Sequence, residues 1–160
     1  MAAHRHRLRV RYSDCDPQGV LFNANYLTYF DIAITELWRE AMGSYEAMRE
    51  LGVDLVVAEA NVRYLAPVRF DEEVDLLVGV ASLGNTSIGT SFEVWPAAGS
   101  GERPPNPAGE GGDGRSSSEL AAEGRMRHVC IALDGSGKTA IPEAVRSALA
   151  PFATTDGGGE

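Results

Sequence analysis

The amino-acid sequence predicts an α+β domain in which an antiparallel sheet wraps around one long helix. The first observation is the order of the patterns: a strand, a long helix and then four strands in succession. The second is a single segment with a broad apolar face at helical spacing. The third is the length of 160 residues, which is enough to bury one sizeable core.

The long helix is predicted over residues 24–42. Its apolar residues recur every three or four positions, whereas charged and hydroxyl residues occupy the opposite face. Gly43 follows directly, and glycine is common just beyond a helix end. A short second helix is predicted over 44–51, and a third begins at Pro142 and runs to about Leu149.

Strand patterns account for most of the remaining chain. They fall at residues 8–12, 53–66, 73–83, 86–95 and 120–133. Gly84 and Asn85 separate two of these strands and predict a tight hairpin. Pro67 is expected to end the strand before it, because proline lacks the N–H that a strand donates.

The segment 99–118 differs in composition from the rest of the chain. Of its 20 residues, six are Gly, three are Pro and four are Ser, and almost none is apolar. Such a segment cannot offset its ordering entropy by burial, so we expect a flexible loop that enlarges a hairpin connection. The prediction is therefore one domain over residues 1–152, with the loop at 99–118 and a disordered tail at 153–160.

The charge and hydropathy of the chain limit its partners. Hydrophobic residues make up 44% and the net charge is −9, which disfavours nucleic acid and anionic membranes because both require basic patches. No apolar run approaches the roughly 18 residues of a membrane helix. The basic N-terminus is not followed by an apolar signal core. We therefore expect a cytoplasmic protein.

The two cysteines, Cys15 and Cys130, are far apart and show no zinc-binding spacing with each other or with histidine. We expect free thiols, in preference to a disulfide, and neither a metal nor a redox cofactor. Cys15 lies between two aspartates, which should raise its pKa and leave it unreactive.

The most informative segment runs from Asp14 to Val20 and has the sequence Asp-Cys-Asp-Pro-Gln-Gly-Val. It joins a short strand to the first turn of the long helix. A carboxylate can act there as a base or nucleophile, and the free N–H groups of the helix start can stabilise an oxyanion. Acyl transfer requires both groups.

This motif, followed by Asn25, Tyr26 and an aromatic-rich helix, resembles the 4-hydroxybenzoyl-CoA thioesterase branch of the hotdog-fold thioesterases. The similarity covers roughly residues 6–144 without the polar loop. The resemblance implies a hotdog fold, hydrolysis of an acyl-CoA thioester, and homodimers or dimers of dimers with active sites between subunits.

The resemblance also implies roles for particular residues. Asp16 corresponds to the catalytic carboxylate, and the backbone amide of Asn23 corresponds to the oxyanion donor. Gly19 is expected to supply a positive φ or a close approach to the ligand. Asp14 is expected to be structural, and the Asn23 side chain would cap the helix. The expected substrate-binding residues are Asn25, Asn61, Arg63 and Lys138.

Several alternatives stay open at the level of sequence. Asp16 could activate a water or attack the carbonyl itself. Many relatives have His or Tyr where this chain has Asn23, and residues 82–94 contain no Arg or Lys for CoA phosphates. The carrier could therefore be CoA or an acyl carrier protein. A non-catalytic acyl-CoA-binding module is a further alternative, whereas a dehydratase is disfavoured because no histidine lies in a hydratase motif.

Overall fold

The computed structural model describes residues 3–97 and 119–154. The predicted loop at 99–118 and most of the predicted tail lie outside these residues. In the described part of the chain the elements are β1 (His4–Arg9), α1 (Asn25–Met42), α2 (Tyr45–Arg49), β2 (Val53–Tyr64), β3 (Glu73–Leu83), β4 (Ser87–Pro96), β5 (Ala122–Ala132), β6 (Gly137–Lys138) and α3 (Glu143–Leu149).

The strands form one antiparallel sheet with the order β1-β3-β4-β5-β2, and β6 pairs with the end of β5. Helix α1 packs on one face of this sheet. The predicted α+β arrangement, a sheet around one long helix, is therefore confirmed. Among the described residues, no helix is both long and apolar enough to cross a membrane.

The core lies between α1 and the sheet face that it covers. Phe30 of α1 is fully buried and stacks on Phe92 of β4 with ring centroids 4.5 Å apart. Helix α1 ends at Met42, where Gly43 adopts a φ of +84° that favours glycine. The apolar spacing in the sequence thus predicted both the helix and its buried face correctly.

The first strand differs from its prediction at both ends. The sequence predicts a strand over 8–12, but the strand spans His4–Arg9 and is followed by a single 3-10 turn at Tyr12–Asp14. Pairing with β3 decides this extent, since His4 lies opposite Val78 and Arg9 opposite Glu73. The hairpin predicted at Gly84 and Asn85 is confirmed: the Gly84 N–H donates to the Ser87 carbonyl.

Strand β2 is one edge of the sheet, and much of it is not covered by the rest of the chain. Residues 56–61 are exposed on both faces, including 43% of Val56 and 50% of Val57. An edge strand of twelve residues with exposed valines is a template for pairing with another strand. This edge ends at Tyr64, beside the start of α1.

Gly124 on β5 lies in close contact with both α1 and the neighbouring strand β2. A methyl group there would overlap the Phe30 ring and lie 2.6 Å from the Asn61 carbonyl oxygen. We expect Gly124→Ala to lower the free energy of unfolding by about 1–3 kcal/mol, because an overpacked core must shift. Chemical denaturation followed by far-ultraviolet circular dichroism measures this change.

Gly84→Ala is the matched control, since its new methyl group would meet mainly the small Ser87 side chain, 3.2 Å away. A loss below about 1 kcal/mol is expected there, within the range of ordinary glycine substitutions. Equal losses in the two variants would contradict the close packing at Gly124.

Candidate active site

The motif predicted from sequence forms a narrow hairpin over residues 14–22, which we call the motif hairpin. Cys15 bridges to Leu21, and the Asp16 N–H donates to the Val20 carbonyl over 2.9 Å. At the base, the Phe22 N–H donates to the Asp14 carbonyl, also over 2.9 Å. The hairpin therefore has Asp16 at its tip and leads directly into α1 at its base.

Asp16 begins the turn at the tip. Its Oδ1 accepts the Gln18 N–H over 2.8 Å, and its carbonyl accepts the Gly19 N–H over 2.9 Å. Gly19 has a φ of +73°, and a Cβ added there would meet nothing within 4 Å, so its conformation rather than close contact requires glycine. Within the described residues Oδ2 of the half-buried Asp16 has no hydrogen-bond partner, which leaves it available to a water or a substrate.

A second segment fixes the outer strand of the motif hairpin. The Leu21 N–H donates to the Val68 carbonyl over 2.7 Å, and the Phe70 N–H donates to the Gly19 carbonyl over 3.1 Å. Val68 is fully buried. These bonds hold the tip of the hairpin against the chain that leads from β2 into β3.

Asp14 is structural, as expected, and it is 8% exposed. Its Oδ2 accepts the Tyr29 hydroxyl of α1 over 2.9 Å and the Arg11 Nε–H over 3.1 Å. Burial alone would raise the pKa of Asp14, but the hydrogen bonds from Arg11 and Tyr29 outweigh it and lower that pKa. The carboxylate thus joins the chain before the motif hairpin to the first turns of α1.

The start of α1 differs from the prediction in one respect. The N-cap is Ala24, and no side chain caps the helix, so the expected capping role of Asn23 is wrong. The N–H groups of Asn23 and Ala24 donate no hydrogen bond to described backbone. Asn25 donates from Nδ2 to the Asp14 carbonyl over 2.8 Å, which commits its amide to the hairpin base.

A cavity of about 290 Å³ opens at this helix start. Its wall includes Asn23 and is otherwise apolar or aromatic; the lining residues are Leu21, Asn23, Tyr26, Tyr64, Leu65, Ala66 and Pro67. Tyr26 is almost fully buried, and its burial raises its pKa to about 12. The Tyr26 phenol is therefore neutral near pH 7 and gives the cavity no charge.

Asn61 and Arg63 lie on β2, on the sheet face opposite α1. Residues directly opposite each other in an antiparallel pair share a face, and Arg63 pairs with Glu123 in register and through a 3.1 Å ion pair. Asn61 is opposite the exposed Arg125. Their roles at the site stay predictions that require a second protomer.

Lys138 is far from the motif hairpin in this protomer. It lies on β6, opposite Ile131, whereas Tyr64 beside the helix start pairs with Ala122 at the other end of β5. An eleven-residue strand spans roughly 30 Å. Lys138 therefore does not contact the groups at the helix start in this protomer, and its role in substrate binding stays a prediction.

Two tyrosines at the site have roles that the sequence did not predict. Tyr29 lies on the buried face of α1, and its hydroxyl bonds Asp14. Tyr64, at the end of β2, donates from its hydroxyl to the Asn23 carbonyl over 2.9 Å. Tyr29 lies on the helix that directly follows the motif, so the helical spacing of the sequence could have placed it near Asp14. Tyr64 is 41 residues from Asn23 in the chain, and only the path of β2 brings the two together.

The Cys15 thiol has the raised pKa that its two aspartate neighbours predict. Cys15 and Cys130 are both free thiols. Burial, together with the carboxylates of Asp14 and Asp16, raises the pKa of the Cys15 thiol. His128 and Cys130 are both buried on the core face of β5, and burial lowers the pKa of His128.

Comparison with known proteins identifies the family. The sequence model of the thioesterase-like superfamily matches residues 10–149. The chain belongs to this superfamily. The match contains the whole motif hairpin, α1 and β2, so the candidate site of this thioesterase-like chain lies inside it.

Individual relatives agree with this assignment. The acyl-CoA thioester hydrolase YbgC of Escherichia coli is 33% identical over 81 residues, which are 51% of this chain and 60% of the relative. The match thus spans less than two thirds of that relative.

Two solved structures confirm the predicted hotdog fold. The PA5185 protein from Pseudomonas aeruginosa is 26% identical with a TM-score of 0.74, covering 95% of this chain and 92% of its own. A 1,4-dihydroxy-2-naphthoyl-CoA thioesterase from Synechocystis is 18% identical with a TM-score of 0.73, covering 92% and 95%.

The buried Asp14 carboxylate should stabilise the folded protein. Asp14→Asn keeps the shape but places an uncharged amide against Arg11 and Tyr29, so we expect a loss of about 1.5–3 kcal/mol in unfolding free energy at pH 7. Asp16→Asn, whose side chain accepts the N–H of one exposed turn residue, should cost much less.

The same pair gives a pH test. The pKa of Asp14 is lowered on folding, so its contribution is complete above the ordinary value of 3.8 and is lost as the pH falls through the folded value. The difference between wild type and Asp14→Asn should therefore shrink in denaturation curves as the pH falls through the acidic range. A difference independent of pH would show that the charge of Asp14 contributes nothing.

Proposed function

We propose that this protein hydrolyses acyl-CoA thioesters with Asp16 as the catalytic carboxylate. The observation that carries the proposal is the motif hairpin, which has a carboxylate with a free Oδ2 at its tip and leads into a helix start with free N–H groups. Membership of the thioesterase-like superfamily and the similarity to YbgC support the same reaction.

The proposed reaction needs only groups of this kind. Either Asp16 takes a proton from a water that adds to the thioester carbon, or its carboxylate adds to that carbon and expels the CoA thiolate, and water then hydrolyses the resulting mixed anhydride. The C–S bond breaks, and the products are a carboxylic acid and the CoA thiol. The thiolate leaves readily, so no strong general acid is required.

The oxyanion is assigned to the helix start. The N–H groups of Asn23 and Ala24 lie at the positive end of the eighteen-residue α1. Negative charge that develops on the thioester oxygen would be stabilised there more than the neutral carbonyl, which is the condition for catalysis. In this proposal Asp16 acts at the carbon, and the N–H groups of Asn23 and Ala24 at the oxygen, of the same thioester carbonyl.

We also propose that two protomers pair along β2. The support is the exposed outer edge of this strand with its exposed valines. Two-fold pairing would place a second β2 beside Tyr64, which contacts Asn23, and so would cover the open side of the cavity.

A hydrolysis screen tests the proposed activity. Purified protein is incubated with short, long, branched and aromatic acyl-CoAs, and the released thiol is measured with a chromogenic disulfide. Acyl carrier protein loaded with the same acyl groups decides the carrier. Binding of acyl-CoA without thiol release from any substrate would favour the non-catalytic module.

Asp16→Asn should abolish most of the activity while the fold stays intact. The replacement has the same shape but removes the base or nucleophile, so kcat should fall at least roughly 10²–10⁴-fold. Asp134→Asn is the matched control, because Asp134 accepts the Ser136 N–H over 2.8 Å in a turn of the same kind. It should retain wild-type turnover. Near-wild-type turnover by Asp16→Asn would remove Asp16 from the mechanism.

A charge on the β2 edge should separate the protomers. We expect Val57→Lys to form monomers in light scattering and to lose most activity, because the lysine would be buried against the partner strand. Leu133→Lys changes another exposed aliphatic side chain outside β2 and should stay dimeric and active. Wild-type protein that is active as a monomer would contradict the pairing.

A further inference from the structure

Tyr64 contacts the candidate site although nothing in its sequence context marked it. Its hydroxyl donates to the carbonyl oxygen of Asn23 over 2.9 Å. Both residues line the cavity of about 290 Å³ at the start of α1. The tyrosine is the last residue of β2, so it connects the edge strand to the helix start.

The contact is significant because of peptide geometry. The peptide group with the Asn23 carbonyl also contains the Ala24 N–H, and these two groups point in opposite directions from one rigid plane. A hydroxyl that holds the carbonyl on one side therefore sets the direction of the N–H on the other side. No side chain caps α1, and the backbone bond that the Asn23 carbonyl accepts, from the Tyr26 N–H, is long at 3.4 Å.

Tyr64 is itself held in place although it is 52% exposed. Its ring packs edge to face on the buried Tyr26, with centroids 5.1 Å apart. The N–H groups of Leu65 and Ala66, which follow it, donate to the Ala121 carbonyl over 2.9 and 3.0 Å. A hydroxyl fixed in this way can hold a peptide group without a large entropic cost at the moment of reaction.

We propose that Tyr64 is a positioning residue for the oxyanion site: its hydroxyl holds the Asn23–Ala24 peptide so that the Ala24 N–H faces the thioester oxygen beside the Asn23 N–H. The inference rests on the proposed function. Tyr64 acts through the backbone group that stabilises the oxyanion. Its loss should therefore reduce the stabilisation of the transition state more than it reduces the affinity for the substrate, and should lower kcat rather than raise KM.

Tyr64→Phe tests the proposal, since it removes the hydroxyl and keeps the ring on Tyr26. The substrate is the acyl-CoA that the wild-type protein hydrolyses fastest. We expect kcat to fall between about 10- and 100-fold while KM stays within about twofold. Tyr45→Phe is the matched control, because it removes a hydroxyl that bonds Asp54 on the other end of β2 and should leave both constants unchanged.

A second measurement reports on the peptide itself. In ¹⁵N-labelled protein, the Ala24 amide proton should shift in Tyr64→Phe, whereas the amide of Leu37 further along α1 should not. Unchanged kcat in Tyr64→Phe, or a rise in KM alone, would overturn the proposal and leave the proposed function standing. An inactive wild-type protein would overturn the proposed function, and the positioning role would fall with it.

Discussion

The buried carboxylate of Asp14 joins the parts of the chain on which the site depends. It accepts the Tyr29 hydroxyl from α1 and the Arg11 guanidinium from the chain before the motif hairpin. Its backbone carbonyl accepts the Phe22 N–H and the Asn25 side chain at the hairpin base. The catalytic candidate Asp16 is two residues away, so the hydrogen bonds of Asp14 also restrict where Asp16 can lie. A buried charge with this many partners tolerates little movement.

The second constraint is the incomplete burial of β2. One protomer covers only the inner edge of this strand, through β5, and leaves the exposed valines and the helix start beside Tyr64 open. The unpaired edge of β2 and the open side of the proposed site therefore lie at the same surface of the protomer. A second copy paired along β2 would address both, because the new strand would run past the residue that contacts Asn23.

Much of the fold was predictable because local patterns and tertiary burial agree. The apolar spacing of α1, its end at Gly43 and the Gly84 hairpin follow from residues close together in sequence, and all are present. The predicted limits of β1 were wrong because the true limits depend on pairing with β3. That strand lies far away in the chain, so the local pattern around β1 contains no information about it.

The candidate site also contains features that local sequence predicts and features that it does not. The turn of the motif, with Asp16 before a Gly19 of positive φ, follows from residues that are close together in the chain. Three other facts could be read only from the folded chain: the Asn23 side chain does not cap α1, Lys138 lies at the far end of β5, and the Tyr64 hydroxyl donates to the Asn23 carbonyl. The positions of Lys138 and Tyr64 depend on which strands pair and in what register, and that is set by packing across the whole core rather than by neighbouring residues.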